Sequence, residues 1–330
     1  MRWTKKKLGR VSIFVATIVI VLGVSAEAQQ PNIYRIGVLV PGEAWYEIVD
    51  GLRVGLKELG LEEGKQFVLS IRNWKGNAKK AKEAARKFQQ EKVDLIYTTS
   101  TNSTIAARQT TADIRIVFCA GTDPVVVGLV DSFAHPGGRL TGVYTPTTDL
   151  SAKRLELLRD IVPNLHRVVT FYDPRRPTTI ESSKLAREAA RKMGIEFVER
   201  RIASVEEFQA GVRALKAGEF DGYLQMSEPI AVNQSQLMVE TARVLRLPTM
   251  VDSANQVIGG ALATYAVSFQ RLGRVSAKYV QRILLAGVKP KDLPVEGVDK
   301  IDFVINLRTA KQIGLTIPPN VLARADKVIK

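Results

Sequence analysis

Two polar loops follow strand-like runs in the first half of the chain and offer groups for a small charged ligand. Ser100 and Thr101 stand where a strand-like run gives way to a helix-like run. Their hydroxyls and the free N–H groups of a helix start favour binding of a carboxylate, although the same residues serve equally well as a helix N-cap. Thr122 and Asp123 follow the next strand, where Asp123 either accepts an ammonium group or caps a turn before Pro124.

Two aromatic residues, Trp45 and Tyr46, come shortly after the first strand-like run and its Pro41. An aromatic ring at this position can stack on an apolar or aromatic ligand. The alternative is that one of the two rings packs on the face of the helix that follows. We therefore expect an aromatic contribution to a ligand site from at least one of them.

Strand ends in the second half of the chain carry a further set of polar and aromatic side chains. The residues expected to contact the ligand from this half of the chain are Tyr172, Asp173, Thr178, Ser227, Glu228, Asp252 and Tyr265. The neighbouring Arg175 and Arg176 either hold a carboxylate through paired hydrogen bonds or remain solvated loop charges.

Histidine and cysteine usage argues against catalysis and metal binding. His135 and His166 lie in loops without a second ligand at a metal-binding spacing. Cys119, the only cysteine, lies in a buried-strand pattern and is expected to be an inert thiol. The motifs of serine hydrolases, phosphate-binding loops and dinucleotide-binding folds are missing. The sequence therefore predicts a protein that is not an enzyme and carries neither metal nor cofactor.

Alternating strand-like and helix-like segments must position these loops. Strand-like runs lie at residues 34–40, 67–71, 94–98, 115–119, 167–172, 196–202, 221–226 and 248–251. Helix-like stretches lie between them at residues 44–59, 77–92, 101–111, 180–193, 205–217 and 233–245. This alternation predicts an α/β protein with two doubly wound parallel-sheet lobes, and 330 residues suit two domains. Ligands of such sheets bind in the cleft at the carboxyl ends of the strands.

The N-terminus has the pattern of a cleavable signal peptide over residues 1–28. Five basic residues precede an apolar run at 11–24, which is shorter than the roughly 20 residues of a membrane-spanning helix. Cleavage is expected after Ala28, with Ala26 as the second choice. The residue directly after either position is not the cysteine that a lipoprotein requires there. We therefore expect a periplasmic protein that is not a lipoprotein.

The positive charge does not predict a nucleic-acid partner. The whole chain has a net charge of +15, and removal of residues 1–28 leaves 43 basic and 32 acidic residues, a net charge of +11. These charges are spread over several helix-like stretches and interleaved with glutamates, without the motifs of nucleic-acid-binding domains.

Four segments resemble the solute-binding proteins of ABC transporters, in the group that includes tryptophan- and tyrosine-binding members. They are residues 34–39, 116–125, 136–143 and 302–319, the last continuing through 322–329. The resemblance covers nearly all of residues 34–330 and implies a type I periplasmic-binding fold. One loop departs from the family, which commonly has Asn after the first strand of the second lobe, whereas this chain has Asp173 followed by Arg175 and Arg176.

The resemblance also implies two discontinuous lobes joined by a three-crossover hinge. Lobe 1 would comprise residues 33–143 plus 268–300, and lobe 2 residues 144–265 plus 301–330. The crossovers are expected near 141–145, 263–268 and 300–305, with Thr141, Gly142 and Val143 as hinge residues.

The expected function is that of a periplasmic receptor that closes on an amino-acid-like ligand. The protein would act as a monomer and deliver the ligand to an ABC permease in the inner membrane. Ser100 and Thr101 would bind the carboxylate, Asp123 the ammonium group, and Trp45 or Tyr46 the side chain. A sensory receptor that presents its ligand to a membrane signalling protein is the alternative, and a secreted enzyme is a third.

Overall fold

Two β-sheets, each covered by helices, make up the residues that the computed structural model describes, namely Met1, 33–298 and 300–330. Apart from Met1, the predicted signal peptide and both predicted cleavage positions lie outside these residues. Within them, no helix is both long and apolar enough to cross a membrane.

The described residues contain thirteen strands. They are β1 (Tyr34–Val40), β2 (Phe67–Asn73), β3 (Leu95–Thr98), β4 (Arg115–Ala120), β5 (Leu140–Tyr144), β6 (Arg167–Tyr172), β7 (Glu196–Arg201), β8 (Gly222–Leu224), β9 (Thr249–Val251), β10 (Ala263–Val267), β11 (Glu296–Gly297), β12 (Ile301–Asn306) and β13 (Lys327–Ile329). Eight of these strands begin and end within two residues of a predicted run, and five (β5 and β10 to β13) match none of these runs. The first and sixth match the predicted bounds because each is an apolar run that is buried from end to end or nearly so.

The helices follow the amphipathic stretches. They are α1 (Tyr46–Glu58), α2 (Ala78–Gln90), α3 (Thr101–Thr110), α4 (Leu150–Ile161), α5 (Pro177–Met193), α6 (Val205–Arg213), α7 (Pro229–Asn233), α8 (Ser235–Leu245), α9 (Ala254–Ile258), α10 (Phe269–Leu284), α11 (Leu307–Gln312) and α12 (Pro319–Leu322). Six of them match a predicted stretch, although α6 ends at Arg213 rather than at residue 217. Two starts differ from the prediction where a proline occupies the first helical position. Helix α5 begins at Pro177 rather than at residue 180, and Pro229 starts a separate short helix before α8.

The strand order makes each sheet a parallel, doubly wound layer. The first sheet has the order β11-β5-β4-β3-β1-β2, and the second has β13-β12-β10-β9-β8-β6-β7. Every neighbouring pair is parallel except β10 with β12. In the described residues the chain passes between the sheets after β5, after β10 and between β11 and β12, so the two lobes are joined by three segments.

The expected hinge residues Thr141, Gly142 and Val143 lie inside β5 rather than in a connection. They pair with β4 in the first sheet, and Thr141 Oγ1 donates a hydrogen bond to the carbonyl of Leu293 at 2.6 Å. All three are buried. The chain leaves the first sheet after Tyr144, which lies within the crossover expected near residues 141–145. The role of these three residues in a hinge motion stays a prediction.

Helices α1 and α10 touch backbone to backbone on the first lobe. A Cβ atom on Gly273 would lie 1.9 Å from the carbonyl oxygen of Ile48, and one on Gly51 would lie 2.0 Å from that of Gln270. Only glycine permits this approach. The contact brings the N-terminal ends of both helices to the edge of the cleft.

Candidate functional site

A cavity lies between the two lobes, where the carboxyl ends of their strands face each other. The cavity is partly open to solvent, and its space together with the solvent at its opening amounts to about 530 Å³. The residues that line it are Trp45, Ile48, Thr99, Ser100, Thr101, Asn102, Cys119, Gly121, Thr122, Thr145, Thr147, Thr148, Thr178, Ser227, Pro229, Asp252, Phe269 and Leu272. This is the position at which open α/β sheets bind ligands.

The N-terminus of α3 forms one wall of the cavity. Ser100 is the N-cap, and its hydroxyl accepts a hydrogen bond from the Ser103 N–H at 3.2 Å. The Thr101 hydroxyl accepts from the N–H groups of Gly121 and Thr122 and so ties the next loop to the helix. Because N–H groups in a first helical turn lack acceptors within the helix, those of α3 can receive a ligand carboxylate. Capping and ligand binding are compatible roles here.

Threonine hydroxyls extend this wall toward the first crossover. Thr122 Oγ1 and Thr148 Oγ1 are 2.7 Å apart, and Thr145 Oγ1 and Thr147 Oγ1 are 2.6 Å apart. These groups are neutral and can donate or accept. They make the wall polar without adding charge.

An apolar wall stands beside the helix terminus. The Trp45 ring is stacked on Phe269, with ring centroids 6.1 Å apart and 25° between the planes. Ile48 from α1 and Leu272 from α10 complete this side. The sequence predicted a ring at Trp45 or Tyr46. It missed Phe269, although residues 268–300 were assigned to the first lobe, because nothing in the local sequence shows which face of α10 meets the cavity.

The second lobe contributes Thr178, Ser227 and the carboxylate of Asp252. Asp252 is 1% exposed, and its Oδ1 accepts a hydrogen bond from Gln225 Nε2 at 2.9 Å. Burial raises the pKa of Asp252, while the positive charge of Arg154 opposes that rise. Arg154 is itself completely buried. A buried carboxylate at a cavity wall is a strong acceptor for a ligand ammonium group.

Asp252 lines the cavity, whereas Asp123, the expected ammonium contact, does not. Asp123 Oδ1 accepts hydrogen bonds from the N–H groups of Val125 and Val126 at 2.8 and 3.2 Å. This is the turn-capping alternative, which satisfies the carboxylate within its own loop.

Three expected aromatic contacts also lie away from the cavity lining. Tyr46 is half-buried and packs on the core of the first lobe. Tyr172 belongs to the core of the second lobe. Tyr265 packs edge-on against Phe303, with ring centroids 6.3 Å apart. For Tyr46 this is the packing alternative considered from the sequence, whereas Tyr172 and Tyr265 were expected at the ligand without such an alternative.

Asp173 and Glu228 lie outside the cavity lining as well, in a charged cluster with the two arginines of the unusual loop. Asp173 Oδ2 is 2.8 Å from Arg175 Nη2, and Glu228 Oε1 is 3.3 Å from Arg176 Nε. Glu228 also caps α7 by accepting from the Ile230 N–H at 3.0 Å. The carboxylates of Asp173 and Glu228 therefore bind partners within the protein.

Cys119 forms part of the cavity floor and is 1% exposed. Its sulfur lies 3.0 Å from the Tyr97 hydroxyl. Burial raises the pKa of the thiol to about 12, so it stays protonated at neutral pH. The described residues contain no cluster of three or more His, Cys, Asp or Glu side chains that could hold a metal ion.

Side chains from the two lobes meet across the mouth of the cavity. Asn102 Nδ2 in the first lobe donates to Thr178 Oγ1 in the second at 3.1 Å. Asn233 Nδ2 in the second lobe donates to the carbonyl of Pro41 in the first at 2.8 Å. Such direct contacts mark a closed arrangement of the lobes.

Solved structures share this architecture over nearly their whole length. A conserved domain protein from Vibrio cholerae O1 biovar El Tor is 30% identical, with a TM-score of 0.82 over 89% of this chain and 99% of that one. An ABC domain from Streptococcus pneumonia in complex with L-Trp is 24% identical, with a TM-score of 0.81 over 90% of this chain and all of the other. These likenesses confirm the predicted type I periplasmic-binding fold.

Sequence comparisons point to the same group. A tyrosine-binding protein of Clostridioides difficile (strain R20291) is 27% identical over 267 residues, which are 80% of this chain and 76% of that protein. The family model described as "ABC transporter substrate binding protein" matches residues 35–329. This is a family of binding proteins rather than enzymes. Because the match covers almost every residue after the predicted signal peptide, the protein belongs to the ABC transporter substrate-binding protein family.

Proposed function

We propose that this protein binds an aromatic or large apolar L-amino acid between its lobes and delivers it to an ABC permease. The observation that carries the proposal is the composition of one cavity. A helix N-terminus, a buried carboxylate and a stacked aromatic pair form its walls, through α3, Asp252 and the Trp45–Phe269 pair. Carboxylate, ammonium and aromatic side chain of an amino acid would each have a matching partner.

The comparisons support this choice of ligand class. One relative is named a tyrosine-binding protein, and one similar structure holds L-Trp. The apolar wall of this chain combines two aromatic and two aliphatic side chains, which suits an aromatic ring better than a charged side chain.

Binding assays with ligands that lack one group at a time test the proposal. L-Tyrosine and L-tryptophan should raise the melting temperature and bind in calorimetry. At 100 times the dissociation constant the stabilisation is about 2.7 kcal/mol. Tyramine, which lacks the carboxylate, and 3-(4-hydroxyphenyl)propionate, which lacks the ammonium group, should bind far more weakly. Equal binding of L-tyrosine and tyramine, or no response to any amino acid, would contradict the proposal.

Delivery to a permease requires that the protein leave the cytoplasm, and the N-terminal pattern supports export. We expect the mature protein in the periplasmic fraction as a monomer. Its N-terminal residue should be Gln29 after cleavage at Ala28, or Glu27 after cleavage at Ala26. Edman sequencing of the exported protein tests this, and an intact Met1 in that fraction would contradict it.

A further inference from the structure

Arg176 connects the two lobes at a place outside the ligand cavity. It lies in the loop after β6 that departs from the family pattern, and it is only 6% exposed. We propose that Arg176 is an interlobe latch that stabilises the closed state and thereby sets how tightly the ligand is held. The effect on ligand affinity rests on the proposed function, but the effect on closure does not.

The second lobe holds the guanidinium between two buried carboxylates. Arg176 Nε lies 3.3 Å from Asp173 Oδ2 and 3.3 Å from Glu228 Oε1. The two carboxylate side chains are 2% and 0% exposed. Arg175 also pairs with Asp173, but its side chain is 63% exposed and its other hydrogen bond goes to the carbonyl of Ala203 in the same lobe. Arg176 is thus held by two carboxylates of its own lobe, in addition to its contacts with the first lobe.

The first lobe receives the guanidinium on an aromatic face and a carbonyl. The Arg176 guanidinium carbon lies 5.4 Å from the centroid of the Trp74 ring, within the range of a cation–π interaction. Arg176 Nη2 donates to the carbonyl of Gly76. Trp74 is 1% exposed, so this contact is shielded from water. Both interactions cross from one lobe to the other.

A chain of hydrogen bonds leads from the latch to the ligand wall. Trp74 Nε1 donates to Ser103 Oγ at 3.0 Å. Ser103 Oγ lies 2.9 Å from Ser100 Oγ, and Ser100 caps α3 at the cavity. The position of Trp74 under Arg176 is therefore coupled to the helix terminus that would bind the ligand carboxylate.

Opening the lobes would separate Arg176 from Trp74 and Gly76, while Asp173 and Glu228, which belong to the same lobe as Arg176, would stay paired with it. The latch therefore favours the closed state and raises the closed fraction of the ligand-free protein. A larger closed fraction tightens ligand binding, because less of the binding energy is spent on closing the lobes.

The test compares the variant Arg176→Gln with the variant Arg175→Gln. Arg175 also pairs with Asp173 but does not contact the first lobe. Small-angle X-ray scattering of the ligand-free proteins measures closure. Titration and stopped-flow dissociation of L-tyrosine measure its consequence. We expect Arg176→Gln to increase the radius of gyration and to raise the Kd about tenfold or more, mainly through faster dissociation. Arg175→Gln should match the wild type in both measurements.

Arg176→Lys covers the case in which the glutamine variant fails to fold. It keeps a cation beside Asp173 and Glu228 but lacks the planar group that stacks on Trp74. We expect the same direction of change in both measurements. An unchanged radius of gyration and Kd in Arg176→Lys, or equal changes in the Arg175 variant, would overturn the latch. If wild-type protein fails to bind L-tyrosine, the proposed ligand class fails, and scattering still decides the latch.

Discussion

The indole ring of Trp45 is stacked on the phenyl ring of Phe269 at a centroid distance of 6.1 Å, although one ring precedes α1 and the other begins α10. The backbone contact between these helices at Gly51 and Gly273 fixes the pair. The first lobe therefore presents a rigid aromatic surface to the cavity, and it does so with residues from distant parts of the chain.

Removing one ring of this pair should weaken binding of aromatic ligands selectively. We expect Phe269→Ala to raise the Kd for L-tryptophan about tenfold or more, because the ligand loses both apolar contact and ring stacking. The Kd for L-alanine should change much less. Calorimetry with both ligands measures the difference. Tyr46→Phe is the control and should leave both values unchanged, since Tyr46 lies outside the lining. A parallel loss for both ligands in Phe269→Ala would indicate a structural effect instead.

Asp252→Asn should abolish the charge contact with the ligand ammonium group. We expect the Kd for L-tyrosine to rise about 30-fold or more, the usual cost of losing one partner of a buried charge pair. Asp123→Asn should stay within about twofold of the wild type, because Asp123 caps its own turn. Calorimetry on the two variants discriminates the sites directly. A large effect at Asp123 with none at Asp252 would restore the sequence interpretation.

The comparison of Asp123 with Asp252 shows where sequence reasoning reaches its limit. Both follow a buried strand, and both were expected near the cleft. Local sequence cannot decide between them, because a turn that satisfies Asp123 and the burial of Asp252 beside Arg154 are tertiary facts. Apolar runs predicted eight of the thirteen strands in the described residues, since burial of a parallel sheet leaves a direct mark on composition.

Side-chain contacts between distant parts of the chain left no such mark. Residues 268–300 were assigned to the first lobe, but the sequence did not show that Phe269 stacks on Trp45 or that Arg176 reaches Trp74. The expected hinge residues Thr141, Gly142 and Val143 lie in β5, an inner strand of the first sheet. Five apolar or small residues are too few to distinguish a strand from a connection by periodicity.

Gly142→Ala tests whether Gly142 serves the packing of β5 or a hinge motion. Gly142 has a φ of +157°, and an added Cβ would lie 2.0 Å from the carbonyl oxygen of Phe118. We expect a loss of about 2–4 kcal/mol in the free energy of unfolding, measured by urea denaturation. Gly138→Ala is the matched control, with open space around its Cβ, and should change stability by less than about 0.5 kcal/mol. Weakened ligand binding at unchanged stability in Gly142→Ala would instead support a hinge.

Glu228 should make the stability of the protein depend on pH. Burial raises its pKa to about 7 from the ordinary 4.5, while Arg176 opposes the rise and Asp173 adds to it. The folded state therefore binds a proton more tightly than the unfolded state. This stabilising contribution is complete below about pH 4.5 and is lost as the pH rises through 7, a change of at most about 3 kcal/mol.

Because glutamine does not titrate, urea denaturation of Glu228→Gln should differ from the wild type in a pH-dependent way. Relative to the wild type, the variant should become progressively more stable between pH 5 and pH 8, since only the wild type then carries a buried charge that its surroundings disfavour. The exposed Glu83→Gln is the matched control, and its difference from the wild type should stay constant over this range. If the Glu228→Gln difference is also constant, Glu228 is ionised throughout and Arg176 compensates its charge fully.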